Sequence, residues 1–157
     1  MDLKFKKISH EEAKKLTTDD IGESSGEFEL VNMVLDNDDE EIYLATSDGS
    51  PIAMVAALRT TVEVDRDELD VLYVDAVDVL DEYRGMGVGR KFMEYLEGLA
   101  STDGLDAVVL DALEGKKGFY AKLGYEPTDI FLHGSKTTKM VKFAEDLTRY
   151  DLPQRIV

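Results

Sequence analysis

Residues 79–92 read Val79-Leu80-Asp81-Glu82-Tyr83-Arg84-Gly85-Met86-Gly87-Val88-Gly89-Arg90-Lys91-Phe92. Upstream, Val71 to Leu80 is almost wholly apolar or aromatic, broken only by Asp75 and Asp78, and reads as a central strand. Downstream, Phe92, Leu96 and Leu99 recur at helical spacing. Three glycines at alternate positions therefore stand between a buried strand and an amphipathic helix. Glycine permits close backbone approach and left-handed dihedrals. The first turn of a helix offers N–H groups without intrahelical partners and a partial positive charge. Together these features make a cradle for phosphate or pyrophosphate. The plainer reading is a simple strand-to-helix connection.

Two common phosphate motifs do not fit. A dinucleotide fingerprint needs G-x-G-x-x-G, and the sixth position counted from Gly85 is Arg90. A P-loop needs Lys and then Ser or Thr after its last glycine, whereas Gly89 is followed by Arg90-Lys91-Phe92. Arg84-Gly85-Met86-Gly87-Val88-Gly89 instead resembles the R/Q-x-x-G-x-G/A signature of the GCN5-related N-acetyltransferase (GNAT) family. Val79 to Gly85 is similar to that family's V-x-P-E-Y-R-G lead-in, with Asp81 in place of the proline. Downstream, Phe119-Tyr120-Ala121-Lys122-Leu123-Gly124-Tyr125 resembles its F-Y-x-K-L-G-F segment, and Leu110-Asp111-Ala112 matches a common subgroup. Gly118 replaces a subgroup proline, and Leu113 an asparagine that many members carry. The resemblance covers roughly residues 71–127.

The rest of the chain is compatible with this order of elements. Leu3 to Ile8 reads as a strand, and Ser9 with Glu12 as a capping box that opens a helix through Leu16. Phe28, Val31 and Leu35 suggest a second helix, ending before the acidic run Asp36 to Glu41. Ile42 to Thr46 and Ile52 to Arg59 are strands joined by Ser47-Asp48-Gly49-Ser50, and Thr60 to Asp70 reads as an exposed acidic loop. Leu105 to Leu113 is a strand, and Lys116 to Leu123 a short helix closed by Gly124. Ile130 to His133 and Thr138 to Phe143 are the last strands, and 144–157 is a tail. No linker interrupts the sequence, so residues 1–157 are expected to form one domain.

Composition narrows the chemistry. The chain has no cysteine, which excludes disulfides, thiolate metal sites and an acyl-cysteine intermediate. With His10 and His133 as its only histidines, no metal site is expected. No apolar run is long enough to span a bilayer, and the start of the sequence has no long apolar core, so no membrane association and a cytoplasmic location are expected. The net charge is −16, which argues against a nucleic-acid partner. It fits either a solvating coat suited to high salt or attraction of a cationic substrate. Asp outnumbers Glu 19 to 15, which favours the first reading, while 12 lysines weigh against it. Residues 84–122 carry six basic and six acidic side chains, leaving 12 basic against 28 acidic elsewhere. One neutral stretch in so acidic a chain suits an anionic ligand.

The resemblance implies an α/β (α+β) fold: a mixed, mostly antiparallel twisted sheet flanked by helices and splayed at the central strands. Acetyl-CoA would serve as cosubstrate. Its pyrophosphate would lie on the backbone of Arg84, Gly85, Met86, Gly87, Val88 and Gly89, and its pantetheine arm along the exposed backbone of Val79 and Leu80. Lys117 is the favoured cation for the phosphates, with Lys116 and Lys122 as alternatives. Tyr120 stands where the family places its general acid, and a phenol with a pKa near ~10 carries its proton at neutral pH. For the base, Asp75 is preferred over Asp78 and Asp111. Strict alternation turns Asp75 and Asp78 to opposite faces of their strand. The expected reaction is acetyl transfer to the primary amine of a small molecule, by direct attack in a ternary complex. A non-catalytic acyl-CoA sensor is the alternative, and monomer and homodimer both stay open.

Overall fold

The computed structural model describes residues 2–16, 36–64, 66–128 and 137–143. Its strands are β1 (Leu3–Ile8), β2 (Glu40–Ser47), β3 (Ser50–Val64), β4 (Asp67–Val79), β5 (Ala107–Leu113), β6 (Glu126–Pro127) and β7 (Thr137–Phe143). Its helices are α1 (His10–Leu16), α2 (Val88–Thr102) and α3 (Lys117–Lys122), with single 3-10 turns at Asp81–Tyr83 and Glu114–Lys116. The strands form one sheet in the order β1-β2-β3-β4-β5-β7-β6. The pairs β1–β2, β2–β3, β5–β7 and β6–β7 are antiparallel, in keeping with the expected α+β class. Among the described residues no helix is long and apolar enough to cross a membrane. The helix expected around Phe28 to Leu35, the strand at Ile130 to His133 and the tail 144–157 lie outside the described residues.

By contact density the chain divides into two compact units, Met1–Leu58 with Val74–Tyr95, and Arg59–Tyr73 with Leu96–Val157. In the first unit, Ile42 to Ala45 and Ile52 to Ala57 are buried without a break. Both faces of those strands are covered, which is why their sequences are continuous apolar runs rather than alternating ones. One face packs Ile42, Leu44, Met54, Ala56 and Ala76 against Ile8 and against Ala13 of α1. Rings of Phe5, Tyr43, Phe92 and Tyr95 form a second cluster, with Phe5 centred 5.0 Å from both Phe92 and Tyr95. The capping box of α1 is present: the Glu12 N–H donates to Ser9 Oγ at 3.0 Å and the Ser9 N–H to Glu12 Oε1 at 3.2 Å. Asp48 and Gly49 both take positive φ (50° and 87°), which makes the β2–β3 connection a two-residue hairpin turn.

In the second unit, Leu69, Val71, Ala107, Val109 and Val141 form the core, with Val62 and Phe143 packed on it. This corrects the reading of Thr60 to Asp70 as a loop. β3 runs through to Val64 and β4 starts at Asp67, with Arg66 at φ 78° in the turn. The acidic positions masked an alternating pattern in which Val62 and Leu69 point inward. Thr61 Oγ1 donates to Asp70 Oδ1 at 3.0 Å across the two strands.

Candidate active site

The first unit holds the glycine turn. Val88 is 1% exposed and pins the start of α2 to the core, while Arg84, Gly85 and Met86 remain outside. Gly85 and Gly87 take φ of +81° and +83°, a region that an L side chain enters only with strain. The first helical hydrogen bond is donated by the Lys91 N–H to the Gly87 carbonyl at 3.1 Å. The N–H groups of Val88, Gly89 and Arg90 therefore precede the helical ladder, as donors to an anion must. Arg90 was not among the residues expected from sequence; its backbone enters through helix geometry rather than through the motif.

The backbone just before the turn differs from expectation. The Leu80 N–H donates to the Ile52 carbonyl at 2.9 Å, and the Leu80 carbonyl accepts from the Tyr83 N–H at 2.9 Å. Leu80 is thus already engaged within the chain. The Val79 carbonyl is held by Arg84 Nε at 3.0 Å, from a side chain whose guanidinium also pairs with Asp81 at 3.0 Å. Both members of that pair are exposed, so the contact is a weak one. A ligand that binds along this edge must displace Arg84 from Val79.

On β4, burial alternates as the spacing demands. Asp78 is 6% exposed, whereas Asp75 is exposed to solvent. Asp75 is the hydrogen-bonding partner of a residue that sequence reasoning passed over, Glu40 at the start of β2. Glu40 is only 4% exposed. Burial first, and then the hydrogen bond and the charge of Asp75, push its pKa up to about 8. Its position two residues before Ile42 and four before Leu44, on the inward face, was the available signal; the run of acids from Asp36 hid it. A cavity of about 360 Å³ in the same unit is lined by Lys7, Ser9, His10, Asp38, Glu40 and Glu41, and by none of residues 84–89. His10 Nε2 stands 2.6 Å from the Glu40 carbonyl oxygen.

The second unit holds Tyr120, half-buried in α3, with its ring edge-on to Phe119 at 5.0 Å and to Tyr125 at 5.9 Å. Among the described residues no hydrogen bond to its hydroxyl is present, and burial raises its pKa above the ordinary phenol value. Lys117 is half-buried at the first position of α3, while Lys116 and Lys122 are exposed. Asp111, the third base candidate, has both oxygens occupied. Oδ1 pairs with Lys139 Nζ at 3.0 Å, and Oδ2 accepts from the Tyr73 hydroxyl, which Lys139 also contacts. Asp111 is therefore part of a closed network and not a free proton acceptor. At the β3–β4 end of this unit, Glu63, Asp67, Glu68 and Asp70 are all exposed.

A family model described as the acetyltransferase (GNAT) family matches residues 8–125. Comparison with curated proteins gives no match. Several solved structures share the fold. A mutant of the AtaT toxin, bound to the C-terminus of the antitoxin AtaR and to acetyl-CoA, is 15% identical with a TM-score of 0.69, covering 95% of this chain and 97% of that one. An IAA acetyltransferase from Bacillus cereus ATCC 14579 is 15% identical with a TM-score of 0.65, covering 90% and 99%. A KacTA–DNA complex contains a chain 17% identical with a TM-score of 0.64, covering 94% and 97%. At these identities the likeness speaks for the fold, while the family match takes in the central strand, the glycine turn and the Phe-Tyr segment. The chain belongs to the acetyltransferase (GNAT) family.

Proposed function

We propose that the chain is an acetyl-CoA-dependent N-acetyltransferase that acts on a primary amine, with residues 1–157 as one catalytic domain. The observation that carries this reading is the turn in which Gly85 and Gly87 at positive φ lead into the first N–H groups of α2, which have no backbone partner among the described residues. The pyrophosphate of the cosubstrate would rest there on the backbone of residues 84–90, with Lys117 as a cation for its phosphates. Asp75 takes a proton from the acceptor's ammonium, and the freed nitrogen attacks the thioester carbonyl. The nitrogen of the adduct gives its second proton to solvent, the tetrahedral oxyanion collapses, the C–S bond breaks, and the Tyr120 hydroxyl gives its proton to the departing sulfur and takes one back from water. Without cysteine there is no acyl-cysteine route, so attack is direct.

Calorimetry with acetyl-CoA, ATP and NAD should give binding for acetyl-CoA alone. Gly87→Val should weaken that binding by about tenfold or more, because an L residue in left-handed backbone costs about 1–2 kcal/mol. Nothing lies within 4 Å of a Cβ placed at Gly87, so the loss would come from the backbone and not from a clash. Binding of ATP or NAD in place of acetyl-CoA defeats the assignment.

The acceptor is proposed to be a small cationic amine such as a polyamine, an aminosugar or a lysine-like compound. The exposed acids Glu63, Asp67, Glu68 and Asp70 support this, and so does the net charge of −16. Asp19, Asp20, Glu23, Glu27 and Asp65 share the acidic pattern but lie outside the described residues. An amine panel followed by release of free CoA should rank polyamines above neutral amino acids in about 0.1 M salt or less. That advantage should shrink in molar salt, as the screening length falls from about 10 Å to about 3 Å. A preference for acidic acceptors at low salt would refute the electrostatic argument. The same charge weighs against nucleic acid as acceptor.

A further inference from the structure

We propose that Lys142, Glu97 and Tyr125 form a clamp that positions Tyr120, fixing the C-terminal end of α3 and with it the direction of the Tyr120 hydroxyl. The inference rests on the reading of Tyr120 as the general acid and adds three positioning residues to it. All four residues belong to the second unit. By itself α3 is poorly equipped to hold its place. It is six residues long, no side chain caps its N-terminus, and none of its residues is fully buried. A helix that short has little stability apart from its contacts.

The segment just after α3 is held firmly. Lys142 on β7 donates to the Leu123 carbonyl at 2.9 Å and to Glu97 Oε1 at 3.0 Å. Glu97, on α2, accepts the Tyr125 hydroxyl on its other oxygen at 2.8 Å. The side chains of Lys142 and Glu97 are 14% and 10% exposed, and Tyr125 is 2% exposed. These anchors act on Tyr120 at two points. The N–H groups of Leu123 and Tyr125 both donate to the Tyr120 carbonyl, at 3.0 and 3.1 Å. The Tyr125 ring also meets the Tyr120 ring edge-on, with centres 5.9 Å apart.

Two positions in this segment are shaped to the clamp. Where the family's F-Y-x-K-L-G-F segment ends in Phe, this chain has Tyr125, and its buried hydroxyl needs the acceptor that Glu97 supplies. Gly124 takes φ +98°, and a Cβ placed there would stand 3.2 Å from Lys142 Cε. The glycine therefore leaves the lysine room to reach the Leu123 carbonyl. Apolar residues of similar volume would stabilise the fold about as well as a buried ion pair. They would not engage the Leu123 carbonyl, at the negative end of the helix where a cation is favoured.

Lys142→Met alone would strand the Glu97 carboxylate in the interior, so the test combines Lys142→Met with Glu97→Gln, which strands no charge. With a polyamine as acceptor, this double variant of the full chain should lose about tenfold in kcat while acetyl-CoA affinity stays within about twofold. In a Tyr120→Phe background the same two substitutions should change kcat by less than about twofold, because the hydroxyl they position is gone. In fluorotyrosine-labelled protein, the Tyr120 fluorine NMR signal, assigned by its absence in Tyr120→Phe, should move or broaden in the double variant. A Tyr120 signal that stays unchanged overturns the clamp. So does an equal fold-loss of kcat in both backgrounds, since a purely structural defect would not depend on the Tyr120 hydroxyl. Failure of the acid reading looks different. Tyr120→Phe alone would then keep wild-type turnover, and the clamp's part in catalysis would fall with it.

Discussion

Tyr120→Phe is expected to lower kcat by about 100-fold while leaving acetyl-CoA affinity within about twofold. General acid catalysis contributes about 10²–10⁴ in rate, and the environment of Tyr120 selects the lower end. Burial raises its pKa above that of an ordinary phenol. Proton donation to a thiolate, whose conjugate acid has a pKa near ~8.5 as in cysteine, is then uphill until C–S cleavage is well advanced. The acid is always in its protonated form but gives the proton up reluctantly. A loss of about 100-fold corresponds to about 2.7 kcal/mol of transition-state stabilisation. The hydroxyl takes no hydrogen-bond partner among the described residues, so its removal should leave the fold of α3 intact. Steady-state kinetics at saturating amine, paired with calorimetry, separates the two quantities. Unchanged turnover would remove Tyr120 from the mechanism, and binding without any wild-type turnover on the amine panel would favour the sensor reading.

The pH dependence adds a second check on the roles. A phenol pushed above its usual value stays protonated through about pH 9, so Tyr120 cannot produce a loss of activity near pH 8. The raised pKa of Glu40, about 8, falls in that range instead. The same shift has a consequence for stability. A carboxyl whose folded pKa is raised from 4.5 to about 8 contributes stability fully below the lower value, and that contribution is lost as pH rises through the upper one. Glu40→Gln should therefore flatten the fall in stability between these limits.

The central elements were legible because their signals are local. The apolar run before Gly85, the capping box at Ser9 and the Asp48-Gly49 turn each specify backbone geometry within a few residues. The β3–β4 extension was not legible, because the acids of Thr60 to Asp70 suggested a loop. Only strand pairing shows that Val62 and Leu69 alternate inward. Partner-dependent features were also hidden. Glu40 keeps step with Ile42 and Leu44, but the acids before it hid that alternation, and its burial shows only in the folded chain. The engagement of Leu80 by Ile52 likewise depends on a contact between residues far apart in the chain. The motif named residues 84–89 as the proposed cradle, and helix geometry places the Arg90 N–H, which also precedes the helical ladder, beside them.

Lys139→Met is expected to cost about 3 kcal/mol of stability, the largest effect foreseen for a substitution that touches neither proposed ligand. Thr138 to Phe143 reads as a strand, and it carries lysines at 139 and 142. In the structure both lysines turn inward. Lys142 reaches Glu97 and the Leu123 carbonyl, at 3.0 and 2.9 Å. Lys139, with its side chain 5% exposed, lies directly across the β5–β7 pairing from Asp111. Its Nζ contacts Asp111 and the Tyr73 hydroxyl, and sits 4.4 Å from the Tyr73 ring centre. Removing one partner of a buried pair costs about 3–5 kcal/mol, because the other charge is left uncompensated. Asp111 keeps 27% of its side-chain exposure, so water can solvate part of the stranded carboxylate and the lower end applies. The double variant Lys139→Met with Asp111→Asn strands no charge and should recover more than about half of the loss. Denaturant unfolding of the wild type, both single variants and the double variant reads the coupling directly. A Lys139→Met cost below about 1 kcal/mol would show the pair to be no stronger than a surface salt bridge. Asp111 would then return as a candidate base beside Asp75.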